Sequence, residues 1–323
     1  MINGITVGDP AGVGPEIVLK ALKRAGEYQA QYMVYGPTKI MEYYNGKFDL
    51  GFKFREIETP EEYEDGFVNM INCKDMSMDD FEVGQLSAEC GDAAYQYLVR
   101  AIHDAMDGKI GAVVTAPLNK EAMHMGGHMF DGHTEVLATE TGTEKYAMMF
   151  MGPVKIVHVS THVSLKEAIN RVKKERVLTC IEFADDIMKK SGIDHPSVAV
   201  AGVNPHASEN GLFGDEEAKE IIPAIEAAKA KGINAIGPLP PDSIFAKNLK
   251  SVYDVTIAMY HDQGHIAAKM GNVDKCVNCT LGLPIIRTSV DHGTAFDIAG
   301  KGIASEENML ESMKCAEVFQ SRS

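Results

Sequence analysis

The chain predicts an α/β protein with a largely parallel sheet covered by helices on both faces. Apolar runs of strand length alternate with amphipathic helical stretches along the whole sequence. Polar or glycine-rich loops stand directly after those runs. Three of the loops carry a histidine: His162 in VSTHVSL, His206 in GVNPHASENG and His261 in AMYHDQGH. Right-handed crossovers collect functional groups beyond the carboxyl ends of parallel strands, so all three imidazoles are expected at one rim.

The first unit is GITVG, the turn DPAGVGPE and the helix IVLKALKRAG. Pro15 suits a first helical turn, where its missing N–H is harmless, Glu16 complements the helix dipole, and Gly26 is placed to end the helix. Residues 87–107 predict the clearest helix, with Ala94, Tyr97, Leu98, Ala101, Ile102 and Ala105 at helical spacing and Gly108 as its cap. IGAVVTAP (110–117) reads as a buried strand, and LNKEAM opens another helix. PVKIVHVS (153–160) is a strand, after which Ser164 and Glu167 form a capping box for helices reaching Lys190. SVAVAGV (197–203) is a strand, NPHASENGLFG a loop, and 215–230 a helix rich in Ala and Glu. VTIAMY (255–260) is a further strand. HDQGH after it is expected to be a loop, because Gly264 argues against helix; the i+4 offset of His261 and His265 then carries no weight. The region 280–300 is free to return to the first lobe, and segment 73–90 has no assigned role.

At 323 residues the chain has room for two domains or one large unit, and 45% hydrophobic content is ordinary for a globular protein. A formal charge of −15 argues against a nucleic-acid partner, although a local basic pocket can still take a small anion. MINGITVGDP lacks the regions of a signal peptide, and no apolar run reaches membrane-span length, so a cytoplasmic enzyme is expected. Cys73, Cys90, Cys180, Cys276, Cys279 and Cys315 are scattered and read as reduced thiols. Cys276 and Cys279 make a lone C-x-x-C with no second pair to complete a zinc or redox motif.

Three neutral imidazoles around an open position are a standard way to hold a catalytic divalent metal. Asn204, Asp262 and Gln263 are available to orient them, and His265 is an alternative ligand; singly, each histidine is an ordinary loop residue. A second group suits phosphate or carboxylate: His133 and Thr134 in DGHTE, Lys269, Asn278 and Arg287 stand in or beside glycine-rich turns. Lys269 or Arg287 alone would be a solvated surface charge, but Arg287 lies in the apolar run LPIIRTSV, where an unpaired charge is costly. The third group is DHGTAFDIAGKGIAS (291–305). Backbone N–H groups of its HGTA turn, His292, Gly293, Thr294 and Ala295, can approach a ligand, and Asp297 can accept from a ribose or an adenine. The plain alternative makes Thr294 the N-cap of a helix AFDIAG. Gly8, Gly12 and Gly14 fit neither a dinucleotide fingerprint nor a P-loop; they permit a tight turn, with Asp9 as polar lining or a turn residue.

Together TVGDPAGVGPEI, TAPLNKEAM, GHTE, NPHASE, YHDQGH and VNCTLGLPIIRTSVDHGTA resemble the 4-hydroxythreonine-4-phosphate dehydrogenase family along nearly the whole chain. HGTAFDIAGKGIA is also similar to the adenosine-binding loop of isopropylmalate and isocitrate dehydrogenases. The resemblance implies two interwoven α/β/α lobes of that dehydrogenase type, with the active site in the cleft between them. The cofactor-side lobe is expected at 1–127 plus 279–323, and a metal-binding, dimer-forming lobe at 128–278. It implies a homodimer with a shared active site, His162, His206 and His261 as metal ligands with one supplied by the partner, and His133, Thr134, Lys269, Asn278 and Arg287 around a phosphorylated substrate. Asp242, in PPDSIF, and Asp262 match carboxylates near the reacting centre. NAD and one divalent ion (Zn, Co, Mg or Mn) are the implied cofactors, and the implied chemistry is oxidation of a secondary hydroxyl followed by loss of CO2. Ser208 and His265 depart from the biosynthetic pattern. With HVSL at 162–165 they resemble paralogues that oxidise 4-phospho-D-threonate or 4-phospho-D-erythronate. The alternatives are 4-phosphohydroxy-L-threonine oxidation in pyridoxal 5'-phosphate biosynthesis, a metal-dependent sugar-phosphate aldolase or hydrolase, and a soluble binding protein for phosphorylated acids.

Overall fold

The computed structural model describes residues 2–27, 30–272 and 275–320. It comprises two compact units: the chain up to Glu144 with Leu283–Glu317, and Lys145–Gly282 with the chain from Val318.

The first unit holds strands β1 (Ile2–Thr6), β2 (Gln31–Tyr35), β3 (Phe54–Glu56), β4 (Val68–Ile71) and β5 (Val113–Thr115), and a late strand β12 (Arg287–Ser289). Their order is β3-β4-β2-β1-β5-β12, and every pairing is parallel. The helices are α1 (Gly14–Arg24), α2 (Thr38–Lys47), α3 (Ala88–Met106), α4 (Lys120–Met125), α5 (His133–Glu140) and the late α11 (Glu307–Gln320). Strands β4, β5 and β12 are buried at successive residues rather than alternate ones, as layers on both faces require.

The second unit holds β6 (Ala147–Met151), β7 (Ile156–His158), β8 (Ser197–Ala201), β9 (Asn234–Leu239), β10 (Val255–Ala258) and β11 (Val277–Leu281). Its order is β11-β6-β7-β10-β8-β9, parallel from β7 to β9 and antiparallel on both sides of β6. Its helices are α6 (Leu165–Asn170), α7 (Lys174–Lys190), α8 (Ile222–Ala230), α9 (Pro241–Leu249) and α10 (His261–Asn272).

Local chemistry accounts for most element ends. Ser87 Oγ accepts from Cys90 N at the start of α3, and Gly108 beyond its end sits at φ +71°. Asn119 and Ser164 cap α4 and α6 in the same way. Gly26 does not terminate α1; the helix stops at Arg24 and continues through Gly26 as a 3-10 turn. The predicted 215–230 helix begins as a π-helical turn, Glu217–Ile221. Pro223, in the first turn of α8, has no N–H to offer the carbonyl four residues back, so the chain winds wide before tightening.

The unit boundary falls at 144/145 where the sequence suggested 127/128, and at 282/283 where it suggested 278/279. Val136 and Leu137 of α5 pack with Leu98, Ile102 and Met123, which keeps α5 in the first unit's core. The six cysteines are thiols, all but Cys73 buried. No described helix is long and apolar enough to cross a membrane.

Candidate active site

Strands β7, β10 and β8 are parallel neighbours, so their carboxyl ends open on one edge. His162, His261 and His206 lie in the chain that leaves those three strands. The rings of His162 and His261 stand 5.7 Å apart between centroids. His261 Nδ1 is 2.7 Å from Asp262 Oδ1, an arrangement that fixes the ring and leaves Nε2 for a ligand. Gln263 ties two of the exits together, accepting from Met259 N at 2.7 Å and donating to Gly202 O at 2.8 Å.

The HDQGH segment is not a loop, as Gly264 had suggested; α10 begins at His261 itself. Gly264 is required for packing, since a side chain there would run into the imidazole of His158. The helical turn places His265 four residues on and directly behind His261, with ring centroids 3.5 Å apart and planes 15° from parallel. His265 Nδ1 lies 3.1 Å from His261 O, and its ring is only 8% exposed, backed by Phe150 and His158. Burial, aided by the neighbouring histidines, lowers His265 to about 4 and His158 to about 3, so both back the site as neutral rings.

His206 stands in a stretch of unusual backbone. His206, Ala207, Ser208, Glu209 and Asn210 have φ of 53°, 53°, 70°, 46° and 58°, five consecutive non-glycine residues in the left-handed region. That conformation costs roughly 1–2 kcal/mol per residue, so it persists only where surrounding bonds over-determine it. Those bonds are present. Ser208 Oγ donates to Gly214 O at 2.6 Å and accepts from Gly211 N at 3.0 Å. Buried Glu217 Oε1 accepts from both Val203 N and Asn204 N at 2.8 Å. The imidazole of His206 is left exposed, its nearest aromatic neighbour being Phe213 with centroids 6.4 Å apart. Among the described residues no three His, Cys, Asp or Glu side chains of one chain converge closely enough to hold a metal. His162 and His261 are thus brought together, and His206 is not grouped with them.

Two pockets adjoin the pair. One, of about 480 Å³, is lined by His162, His261, Asp262 and Tyr260. The other, of about 570 Å³, is lined by Asp242, Asp262, Gln263 and Tyr260 above the apolar residues Phe245, Ile266 and Met270. Tyr260 lines both; it directly precedes HDQGH, and no motif in the sequence marks it. Lys269 shares a third concavity with His261 and His265, while Asn278 on β11 donates to Met148 Sδ at 3.5 Å.

In the first unit Arg287 is 3% exposed and its Nη2 donates to Thr115 Oγ1 at 2.8 Å. His133, which with Thr134 opens α5, is held well below its usual pKa, by burial first and then by Arg287 and Lys120. The Arg287 guanidinium is thus near enough for the His133 imidazole to feel its charge, whereas Lys269 and Asn278 belong to the other unit.

The exits of β1 and β12 meet in the same unit. Val13 N donates to Thr294 O at 3.0 Å, and a Cβ on Gly12 would come within 2.9 Å of that oxygen. Gly84 N donates to Ala11 O at 2.9 Å, which gives the 73–90 segment a place beside this turn. AFDIAG forms turns rather than a helix, so Thr294 is not an N-cap; it is buried against Gly12 while His292, Gly293 and Asp297 are exposed. Asp9 is fully buried, with Oδ1 accepting from Ala11 N at 2.9 Å and no hydrogen bond to Oδ2. Burial raises it to about 6, and the Ala11 bond only partly opposes that.

An imidazole steadied by a carboxylate, beside pockets with a second carboxylate, is suited to taking a proton from a hydroxyl group. The buried arginine and neutral imidazole suit an anionic substrate, and the open backbone at Gly293 suits a flat or phosphorylated ligand. On an α/β scaffold each of these groups suits chemistry on a small anionic, hydroxyl-bearing substrate. Known proteins agree. The profile of the family described as "Pyridoxal phosphate biosynthetic protein PdxA" matches residues 28–316. D-threonate 4-phosphate dehydrogenase of Cupriavidus necator is 45% identical over 320 residues, covering 97% of this chain and 95% of its own length. The Salmonella typhimurium protein of the same name is 46% identical over 316 residues, 97% of each chain. The crystal structure of 4-hydroxythreonine-4-phosphate dehydrogenase from Klebsiella pneumoniae matches with a TM-score of 0.89 at 41% identity, covering 99% of both chains. The chain belongs to the PdxA family of dehydrogenases.

Proposed function

We propose that the chain carries out NAD-linked, divalent-metal-dependent oxidative decarboxylation of a four-carbon 4-phosphorylated hydroxy acid, with 4-phospho-D-threonate the favoured substrate and 4-phospho-D-erythronate next. The observation that carries the reading is the His162–His261 pair with Asp262 bonded to His261 Nδ1. Two imidazoles, one oriented by a carboxylate, are a fitting partial donor set for Zn²⁺, Co²⁺, Mg²⁺ or Mn²⁺. His206 of a second subunit completes it in this reading. Support for a homodimer comes from the exposed apolar face of α9 and α10, where Leu249, Ile266 and Met270 are 50%, 59% and 83% exposed. A metal held there would supply polarisation of the substrate hydroxyl, and a bound nicotinamide would be the hydride acceptor.

The chain's own groups do the rest. Arg287, His133 and Thr134 bind the phosphate, with Lys269 and Asn278 as further donors. Asp242 receives the hydroxyl proton at its carboxylate, while Asp262 keeps His261 in one orientation. The oxidised acid is a β-keto acid, which loses CO2 once the negative charge left behind is stabilised. His292, Gly293, Thr294 and Ala295 approach the dinucleotide through their backbone, and Asp297 accepts from its ribose or adenine. The names of the Cupriavidus and Salmonella relatives favour the threonate substrate; the Klebsiella structure's name keeps 4-phosphohydroxy-L-threonine as the second reading.

The test combines purified protein, NAD and a divalent metal with each of 4-phospho-D-threonate, 4-phospho-D-erythronate and 4-phosphohydroxy-L-threonine, following NADH absorbance. The threonate is expected to give the highest kcat/KM. Absence of NADH with all three ends the proposal, and a higher value for 4-phosphohydroxy-L-threonine selects the second reading.

A further inference from the structure

The stretch from Asp291 to Ser305 contains no helix or strand, yet most of its inner residues are buried or half-buried. An ordered, irregular excursion of that length needs an anchor. Its near end is held where Val13 N donates to Thr294 O. Its far end is held by two side chains of α1. Glu16, fully buried, accepts from Gly302 N at 3.1 Å and from Ala304 N at 2.8 Å. Lys20, one turn on, pairs with Glu16 at 2.7 Å and donates to Gly302 O at 2.9 Å and Ala304 O at 2.8 Å. The pair thus bonds both the N–H and the C=O groups of Gly302 and Ala304. Both anchors belong to one strand–turn–helix, β1 to α1: the first lies inside the 292–297 turn, at Thr294, and the second holds the chain that follows Asp297.

We propose that Glu16, together with Lys20, is a positioning residue for dinucleotide binding, fixing the 292–297 turn through its far end without touching the ligand. This rests on the NAD reading above. The physical cause is preorganisation: a turn already held in its binding shape loses less conformational freedom when the ligand arrives. Gln at position 16 can accept one of the two backbone bonds but carries no charge for Lys20, so the anchor is loosened rather than removed.

The test measures NAD affinity by titration calorimetry, and KM for NAD and for the phosphorylated acid, in wild type and Glu16→Gln. Loss of charge assistance from these hydrogen bonds predicts a rise of about tenfold in the Kd and KM for NAD. The KM for the phosphorylated acid is expected to move less than about twofold, since Arg287 and Lys269 lie elsewhere. Hydrogen exchange on the wild-type protein gives a second reading that does not depend on the variant folding. NAD is expected to slow exchange at the amides of Gly302 and Ala304 as well as within 292–297. A wild-type protein that binds no NAD overturns the cofactor reading and this inference with it. A wild-type protein that binds NAD while Glu16→Gln binds equally well, or weakens toward NAD and phosphorylated acid alike, overturns the inference alone. Unchanged exchange at Gly302 and Ala304 on NAD binding has the same consequence.

Discussion

The strand exits of the 145–282 unit and those of the first unit are built on opposite plans. Beyond β7, β8 and β10 the exposed groups are side chains, His162, His206 and Asp262, and what lies behind them is buried: His158, His265, Ser208 and Glu217. Beyond β1 and β12 the buried groups are the side chains Asp9, Glu16 and Thr294, and the exposed surface at Gly293 is peptide backbone. A proton or metal needs a particular functional group, so the first plan fails when one side chain is removed. A cofactor held by backbone needs a shape, so the second plan fails when volume or anchoring changes. The two regions are therefore separable by mutation.

The largest effect is expected from removing imidazoles. His261→Ala and His206→Ala should each lower kcat by about a thousandfold or more, with loss of bound metal measured by elemental analysis. NAD affinity should be nearly unchanged, because the backbone region is intact. If metal content and turnover both survive, the two histidines have been wrongly assigned. A normal metal content with lost turnover would instead move them from ligands to proton carriers.

Gly12→Ala probes the other plan. The new methyl would press on Thr294 O and Cβ, each 2.9 Å away. The expected result is a loss of about 1–3 kcal/mol in stability and weaker NAD binding, with metal content preserved. A variant that lost metal but kept NAD would show that the division between the regions is false.

Local chemistry writes part of this arrangement into the sequence. Helix α3 was expected over 87–107 and spans Ala88–Met106, because Ser87 and Gly108 mark its ends by short-range bonding. The three histidine loops were placed at one rim because strand–loop–helix order implies parallel pairing, and β7, β10 and β8 are indeed parallel neighbours. HDQGH was misjudged because glycine weakens a helix on average, whereas Gly264 answers to the ring of His158, more than a hundred residues away in sequence. Glu16 was read as complementing a helix dipole; its bonds to Gly302 and Ala304 span 286 and 288 residues. No periodicity or spacing carries such a contact. The same holds for α5, whose allegiance to the first unit is decided by packing with α3 and α4.

A smaller effect is expected from the buried carboxyl of Asp9. Its pKa in the folded protein is about 6, above the ordinary 3.8, so the folded state holds the proton more tightly than the unfolded chain does. Its contribution to stability is therefore fully present below the ordinary value and is lost as the pH rises through about 6. Asp9→Asn keeps an acceptor for Ala11 N and removes the ionisation. Denaturant titrations should show the variant gaining on wild type by about 2 kcal/mol between about pH 4 and about pH 7. A difference that does not change with pH would mean that Asp9 ionises in the folded protein as it does in the unfolded chain.

The smallest effect is expected where substrate choice had been read from sequence. Ser208 is expected from the sequence to depart from the biosynthetic pattern, which would suit a contact with substrate. In the structure it is 3% exposed and its hydroxyl is spent inside the loop, on Gly214 O and Gly211 N. Ser208→Gly would lose two hydrogen bonds of about 1 kcal/mol each and recover roughly 1–2 kcal/mol by placing glycine at a left-handed position. The terms nearly cancel. The ratio of kcat/KM for 4-phospho-D-threonate to that for 4-phosphohydroxy-L-threonine should change by less than about twofold, since each term acts on the loop and not on a substrate group. A tenfold change in that ratio, with stability unaltered, would require the Ser208 hydroxyl to turn outward in the substrate complex. The loop around His206 would then select the substrate as well as present an imidazole, and the contrast between side-chain and backbone regions would have to be drawn inside one loop.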